Sequence, residues 1–298
     1  MTMRGILDVG ADRFPRDASR GEWVHGRKEP DEPARLARLV KTIEGEIVPR
    51  LVVARRLRMD AAKQQSGSND LPDEVDVKEM VRLLLAHDTG VAAAYVETLR
   101  QRGATLETIC LDLLAPAARE LGLLWEEDEC DFMQVTVGLC RLHQVLRGLS
   151  PEFDCANSDR DGGRRILLVP YPGEQHTFGV TLVAQFLRRA GWDVWQEFPE
   201  NVEQLIQITR ETSFAAVGLS VGCETRLDGV GETLRGIRAT SLNRSIAVLI
   251  GGATCVANPS LAASLGADAS ATDGRDAVRQ VQRVHARGGR RALGLHGR

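Results

Sequence analysis

Aromatic residues make up only 4% of the 298-residue sequence, so we expect cores built mainly from aliphatic side chains. No run of about 18 apolar residues occurs, which argues against a membrane-spanning helix. The N-terminus is charged and carries no signal-like apolar segment, so we expect the protein to stay in the cytoplasm, without a membrane partner.

The six cysteines form no C-x-x-C pair and show no Cys/His spacing of the kind that binds zinc. In a reducing compartment, we expect them to be small core residues rather than disulfides. The net charge of −3 argues against a nucleic-acid surface that extends over the whole chain. Composition therefore favours an ordinary globular protein.

The first half of the chain is predicted to be helical. After a Gly- and Pro-rich start, an amphipathic helix at 31–59 is expected either to pack on its own domain or to serve as a partner or dimer surface. Segments with an apolar helical stripe follow at 77–87, 91–102, 106–121 and 132–149. Their short spacing is typical of an antiparallel four-helix bundle. Asp131, with Gln134 three residues later, predicts a capping box before the last helix.

From residue 164 onward, predicted strands alternate with helices. The strands are expected at 165–169, 193–197, 216–220, 246–250 and 267–271. Five strands with crossover helices predict a parallel, flavodoxin-like α/β sheet in the order 2-1-3-4-5, preceded by the all-α four-helix-bundle cap.

The predicted domain organisation follows from these patterns. It comprises a flexible N-terminus (1–30), an N-terminal helix and linker (31–73), the cap (74–150), a linker (151–163), the sheet domain (164–288) and a basic tail (289–298).

The turn after the first predicted strand carries Glu174, His176 and Gly179, at the end of the strand where open α/β sheets bind ligands. The pattern Glu174-x-His176-x-x-Gly179 resembles the Asp-x-His-x-x-Gly signature of the cobalamin-binding fold. The resemblance implies that His176 is the lower cobalt ligand and that Glu174 bonds its other ring nitrogen. Neutral imidazole suits cobalt, and a carboxylate partner sets its tautomer and basicity.

Two further strand ends extend this resemblance. Ser220-Val221-Gly222 stands where the family carries Ser-x-Leu, and Gly251-Gly252 matches the paired glycines that admit the nucleotide tail. Glu174 in place of Asp lengthens the reach of the acid, and Gly222 in place of Leu predicts a wider tail pocket. The resemblance implies the following cofactor-binding residues in the sheet domain, with His176 as the metal ligand: Glu174, His176, Thr177, Gly179, Ser220, Val221, Gly251 and Gly252.

A second motif lies in the cap. Leu121-Gly122-Leu-Leu-Trp125 resembles the Leu-Gly-x-x-Trp turn that covers the upper corrin face in methionine synthase, corrinoid methyl carriers and CarH photoreceptors, which implies that Trp125 contacts the corrin. Those relatives carry Glu-His ten and eleven residues after the tryptophan, where this chain has Val135 and Thr136. The sequence therefore gives less support to an adenosyl group on the cofactor or to a methyl-transfer reaction than the sequences of those relatives do. His143 is a further candidate corrin contact, and its alternative role is that of a bundle histidine.

Several stretches taken together are similar to the AerR/PpaA group of regulators from photosynthetic purple bacteria. They are Gly173–Gly179, Arg188–Trp192, Thr136–His143 and Ile43–Arg50. Members of that group are cobalamin-binding antirepressors. The resemblance implies a light-responsive partner of a PpsR/CrtJ-type repressor of photosystem genes, with hydroxo- or aquocobalamin as the expected form and adenosylcobalamin as the second.

Two alternatives stay open at this point. The sheet also resembles the haem-binding sensor domain of AppA-like proteins, so haem is a rival cofactor, and a corrinoid methyl carrier would share the fold. The sequence shows no helix-turn-helix, kinase, output or methyltransferase domain. It also shows no P-loop and no Ser, His and Asp residues in the order of a catalytic triad. We therefore expect no enzymatic activity and expect the protein to act through another protein. DNA contact is expected through that partner or through the arginine-rich end that follows Asp276, whose alternative role is that of a solvated basic tail.

Overall fold

The structure is a computed structural model that describes residues 72–154, 164–223, 227–258 and 260–292. The predicted helix at 31–59, most of the predicted linker at 151–163 and the end of the predicted basic tail lie outside these residues.

Helices form the N-terminal lobe, as predicted. They are α1 (Glu74–Ala86), α2 (Thr89–Gln101), a composite third helix made of α3 (Leu106–Thr108), π1 (Ile109–Leu114) and α4 (Ala115–Glu126), and α5 (Phe132–Asp154). The predicted capping box is confirmed. The Asp131 N–H donates to Gln134 Oε1 at 2.9 Å, and the Gln134 N–H donates to Asp131 Oδ1 at 2.7 Å.

The π-helical segment is a feature that the apolar stripe did not predict. The Ala115 N–H donates to the carbonyl of Cys110, five residues back. Pro116 lies in the first turn of α4 and has no N–H to donate. A local change to the wider π-helical hydrogen-bonding pattern lets the helix continue through this position.

The C-terminal lobe is the predicted α/β domain. Its elements are β1 (Arg165–Pro170), α6 (Phe178–Arg189), β2 (Asp193–Gln196), α7 (Val202–Glu211), β3 (Ala216–Ser220), α8 (Leu227–Thr240), β4 (Ala247–Gly251), α9 (Ala253–Ala257), α10 (Leu261–Leu265), β5 (Ala269–Ala271) and α11 (Gly274–Ala292). All strand pairs are parallel, and the order β2-β1-β3-β4-β5 confirms the prediction. Pro170, Ser220 and Gly251 are in register across three strands, so the loops that follow them emerge at one edge of the sheet.

Helix α6 joins the two lobes because it has two apolar faces. Phe178, Leu182 and Phe186 belong to the core of the bundle, whereas Val180 and Leu187 pack against the sheet. The Phe186 ring lies 5.8 Å from that of Phe153 on α5. An ion pair between Arg275 of α11 and Glu107 of α3 is a second contact between the lobes.

Two predicted boundaries fall inside helices. Helix α5 continues to Asp154, so the first residues of the predicted linker are helical. Helix α11 continues to Ala292, past the predicted start of the basic tail at residue 289. Among the helices of the described residues, none combines the length and the apolarity that a membrane span requires.

Candidate functional site

The loop between β1 and α6 holds Glu174 and His176 beside the end of β3. The Glu174 side chain is only 3% exposed, and its Oε1 accepts the N–H groups of Gly222 and Cys223, each at 3.0 Å. Its Oε2 lies 3.3 Å from His176 Nδ1. A carboxylate only accepts hydrogen bonds, so Nδ1 is the donor and the Nε2 lone pair is left available on a ring that is 78% exposed.

The glycine at position 222 makes room for this pair. A Cβ there would lie 3.0 Å from Glu174 Oε2 and 3.2 Å from His176 Nδ1. The prediction that Gly222 widens a tail pocket is therefore wrong, because the longer Glu174 side chain fills that space. The same geometry shows that Glu174 reaches the histidine as an aspartate is expected to do.

The paired glycines after β4 have packing reasons of their own. Gly252 has a φ of +101°, and a Cβ there would lie 2.3 Å from the Val221 carbonyl oxygen. At Gly251 the nearest atom to a Cβ would be the carbonyl oxygen of Ala271, at 3.3 Å. Close approach of neighbouring backbone thus requires glycine at position 252 whether or not a ligand is bound.

Val221 differs from the other predicted contacts in the sheet domain. Its side chain is fully buried in the core, its N–H donates to Gly251 O at 2.8 Å, and its carbonyl accepts Thr254 Oγ1 at 2.7 Å. The Val221 side chain is therefore part of the core behind the sheet edge, and its role as a cofactor contact stays a prediction.

The remaining predicted residues lie around the same edge. Ser220 is half-buried, and its carbonyl accepts the Tyr171 N–H at 2.8 Å. Thr177 is half-buried at the start of α6. At Gly179, an added Cβ would meet no atom of the described residues within 4 Å, so the space beside it is open.

The cap presents exposed apolar side chains at its tip. Trp125 is 51% exposed near the end of α4, and Phe132 and Met133 are each 66% exposed at the start of α5. Val135 is buried, and Thr136 Oγ1 donates to the Phe132 carbonyl at 2.7 Å. Positions 135 and 136 therefore offer neither an acid nor an imidazole, and the contact of Trp125 with a corrin stays a prediction.

His143 lies at the junction of the lobes. Its ring packs edge-on against Phe178 with centroids 5.2 Å apart, and Phe178 is the second residue after His176. Burial lowers the pKa of His143, and the nearby charge of Arg147 lowers it further. The ring also lines a cavity of about 350 Å³ together with Arg147 and Thr177. These contacts make His143 a link between the bundle and the His176 loop.

The donor set fits a metal that a macrocycle already holds. Within the part of the chain that the structure describes, no group of three or more His, Cys, Asp or Glu side chains could hold a bare metal ion. The site instead offers one exposed imidazole with a buried carboxylate behind it, which is the arrangement that an axial ligand requires.

Sequence reasoning missed the residues that hold Glu174 in place, which are the backbone N–H groups of Gly222 and Cys223. The sequence did contain a sign of this contact, because positions 174 and 222 both differ from the cobalamin-binding pattern. Sequence reasoning also missed Phe178, which packs in the bundle core and against the His143 ring.

Comparisons with known proteins agree with this geometry. A family model described as "B12 binding domain" matches residues 164–282, and a second with the same description matches 77–138. The chain is 31% identical over 173 residues to the "Uncharacterized 20.5 kDa protein in bchF-crtJ intergenic region" of Rhodobacter capsulatus. That match covers 56% of this chain and 87% of the relative.

The fold is shared with a solved corrinoid protein. The monomethylamine corrinoid protein of Methanosarcina barkeri superposes with a TM-score of 0.59 at 15% identity, over 72% of this chain and 100% of that one. A cobalamin-binding protein from Desulfitobacterium hafniense DCB-2 superposes with a TM-score of 0.37 at 20% identity, over 70% of this chain and 98% of that one. The superposition on the monomethylamine corrinoid protein is the one that shows the shared fold.

Proposed function

The chain belongs to the AerR-type group of cobalamin-binding proteins with a helical cap, and from this membership we propose that it is a light-responsive transcriptional regulator. In this proposal the protein is not an enzyme. It acts as an antirepressor, through a repressor of PpsR/CrtJ type that controls photosystem genes. The genomic position in the name of the Rhodobacter capsulatus relative, beside crtJ, supports this choice of partner.

The observation that carries the proposal is the buried Glu174 carboxylate behind the exposed His176 ring. His176 would bind cobalt through Nε2, while Glu174 accepts a hydrogen bond from Nδ1 and orients the ring. When bound, the corrinoid would supply a cobalt–ligand bond that light or ligand exchange can alter. Trp125 and the apolar tip of the cap would cover that upper side.

The cap favours hydroxo- or aquocobalamin over adenosylcobalamin. Val135 is buried and Thr136 is bonded to its own helix, so neither supplies the acid and imidazole that relatives carry there. The same lack weakens the second candidate function, a corrinoid methyl carrier, whose fold this chain shares.

The contacts of α6 provide a route from the site to the cap. Phe178 opens α6 two residues after His176, packs in the bundle core and touches His143 of α5. A shift of the His176 loop would therefore move a side chain that belongs to the bundle core. Regulation follows if the repressor binds the two resulting states with different affinity.

The cofactor is tested by spectroscopy of the purified protein after addition of hydroxocobalamin, adenosylcobalamin or haemin. In the cobalt(II) state, the paramagnetic resonance splitting should change when histidine is labelled with the heavy nitrogen isotope. His176→Ala should lose that change, and His87→Ala, a histidine at the end of α1, should keep it. If labelling still changes the splitting in the His176→Ala variant, His176 is refuted as the ligand. A Soret band that depends on His176 would favour haem.

The regulatory role is tested by titrating a purified PpsR/CrtJ-type repressor with the loaded protein in darkness and after illumination. We expect two different affinities for wild type and a single affinity for His176→Ala. Equal affinities for wild type would contradict a light-responsive regulator. Transfer of a methyl group from the loaded protein in the presence of a methyltransferase would favour the carrier instead.

A further inference from the structure

The cavity of about 350 Å³ lies where α5, α6 and the end of β2 meet. Thr181 and Gln185 line it from α6 and Thr177 from the N-cap of that helix, and their spacing of four residues places them on one side of it. Arg147 lines it from α5 and Gln196 from β2. Because Thr177 directly follows His176, the cavity adjoins the loop that carries the proposed metal ligand.

Gln185 is the buried polar side chain of this cavity. The residue is only 7% exposed, and its amide has no hydrogen-bond partner among the described residues. Its amide atoms are not fully enclosed by protein, so they are open to the cavity that the residue lines. Gln185 thus offers two N–H donors and one carbonyl acceptor to whatever occupies the cavity.

The hydrogen bonds of Thr181 fix the orientation of Gln196. Thr181 Oγ1 donates to the Thr177 carbonyl at 3.2 Å, so it must accept the bond from Gln196 Nε2 at 2.9 Å. The Gln196 carbonyl oxygen is therefore turned away from Thr181 and is free to accept a hydrogen bond. Arg147, whose guanidinium forms no ion pair with the described residues, adds further donors.

An occupant of this cavity must both donate and accept hydrogen bonds. A carboxylate only accepts, so it would leave the acceptor oxygens of Gln185 and Gln196 without a donor. A carboxamide does both, and the rim of the cobalamin ring carries carboxamide side chains, whereas haem carries carboxylates and apolar groups. We propose that this cavity receives a carboxamide side chain of the bound corrin and that Gln185 is the residue that recognises it. The inference rests on corrinoid binding at His176.

The first test compares affinities for aquocobalamin, measured by absorbance titration. Gln185→Leu should bind at least about tenfold more weakly than wild type, because a carboxamide in the cavity would then lose its partners. The control is Gln207→Leu on α7, whose amide bonds the exposed Glu211 outside the cavity. Circular dichroism and thermal melting check that each variant is folded, and Gln196→Met provides a second variant, for which we also expect weaker binding.

The second test uses cobalamin derivatives in which a single carboxamide has been hydrolysed to a carboxylate. Wild type should bind one of the isomers more weakly than the others, and Gln185→Leu should lose that discrimination. If Gln185→Leu and Gln196→Met bind all derivatives as wild type does, the inference is overturned while His176 ligation stands. If wild type takes up no corrinoid at all, corrinoid binding itself is refuted and the inference with it.

Discussion

Glu174 and Gly222 fit each other in size, since the Glu174 carboxylate fills the space that a side chain at position 222 would need. The carboxylate also accepts the Gly222 N–H at 3.0 Å. The cobalamin-binding pattern has a shorter acid at the first position and a leucine at the second. The two departures in this chain therefore compensate, and His176 keeps its carboxylate partner.

This relationship predicts a rescue between two substitutions. Gly222→Leu should displace Glu174 from His176 and weaken corrinoid binding by about tenfold, and adding Glu174→Asp should restore part of the loss. The coupling free energy from titrations of the two single variants and the double variant should be about 0.5–3 kcal/mol. The control is Gly148→Leu on α5, where an added Cβ would meet no atom within 4 Å. Additive losses in the double variant would show that the two sites are independent.

Gly252 and Gly103 form a second pair for comparison. Their φ angles are +101° and +102°, but a Cβ at Gly252 would lie 2.3 Å from Val221 O, whereas one at Gly103 would meet nothing within 4 Å. Gly103→Ala should cost about 1 kcal/mol of unfolding free energy for the backbone conformation alone, and Gly252→Ala should cost more than about 2 kcal/mol. Urea denaturation measures both. An equal loss in the two variants would mean that contact with Val221 adds no cost.

Much of the fold could be predicted because burial leaves a local trace in the sequence. Strand β1 is a continuous apolar run since both faces of the sheet are covered, and the apolar residues from Val180 to Leu187 follow the helical period. The π-helical segment at Ile109–Leu114 could not be predicted, because the apolar pattern does not report which carbonyl each N–H reaches. Strand β5 begins later than predicted, at Ala269, because the Asp268 side chain is used to bind the Val248 N–H at 2.7 Å.

The site was predictable only where one loop carries it. Glu174 and His176 are two residues apart, and the parallel sheet brings the end of β3 beside them. The contact of Glu174 with Gly222 spans 48 residues, and that of Gln196 with Thr181 depends on how β2 lies against α6. No local pattern encodes such contacts, so they required the structure.

His143 predicts a dependence of stability on pH. Burial and Arg147 hold its pKa below the usual 6.5, so the unfolded chain takes up a proton on His143 at a higher pH than the folded protein does. The free energy of unfolding should therefore fall as the pH drops below about 6.5, and it should be insensitive to this group above that value. Chemical denaturation at several pH values should show a smaller fall for His143→Gln than for wild type. Parallel curves for the two proteins would contradict this assignment.

Substitutions of Trp125 and Trp195 should affect different properties, corrinoid binding in the first case and stability in the second. Trp125 is half-exposed at the tip of the cap, so Trp125→Ala should cost less than about 1 kcal/mol of unfolding free energy but should clearly weaken corrinoid binding. Trp195 packs under the Arg165 guanidinium at 5.1 Å and against the Phe214 ring at 5.8 Å. Trp195→Ala should therefore lose about 1–2 kcal/mol of stability and leave the affinity unchanged. Absorbance titration and urea denaturation of both variants test this, and a Trp125→Ala protein that binds as tightly as wild type would remove the cap from the site.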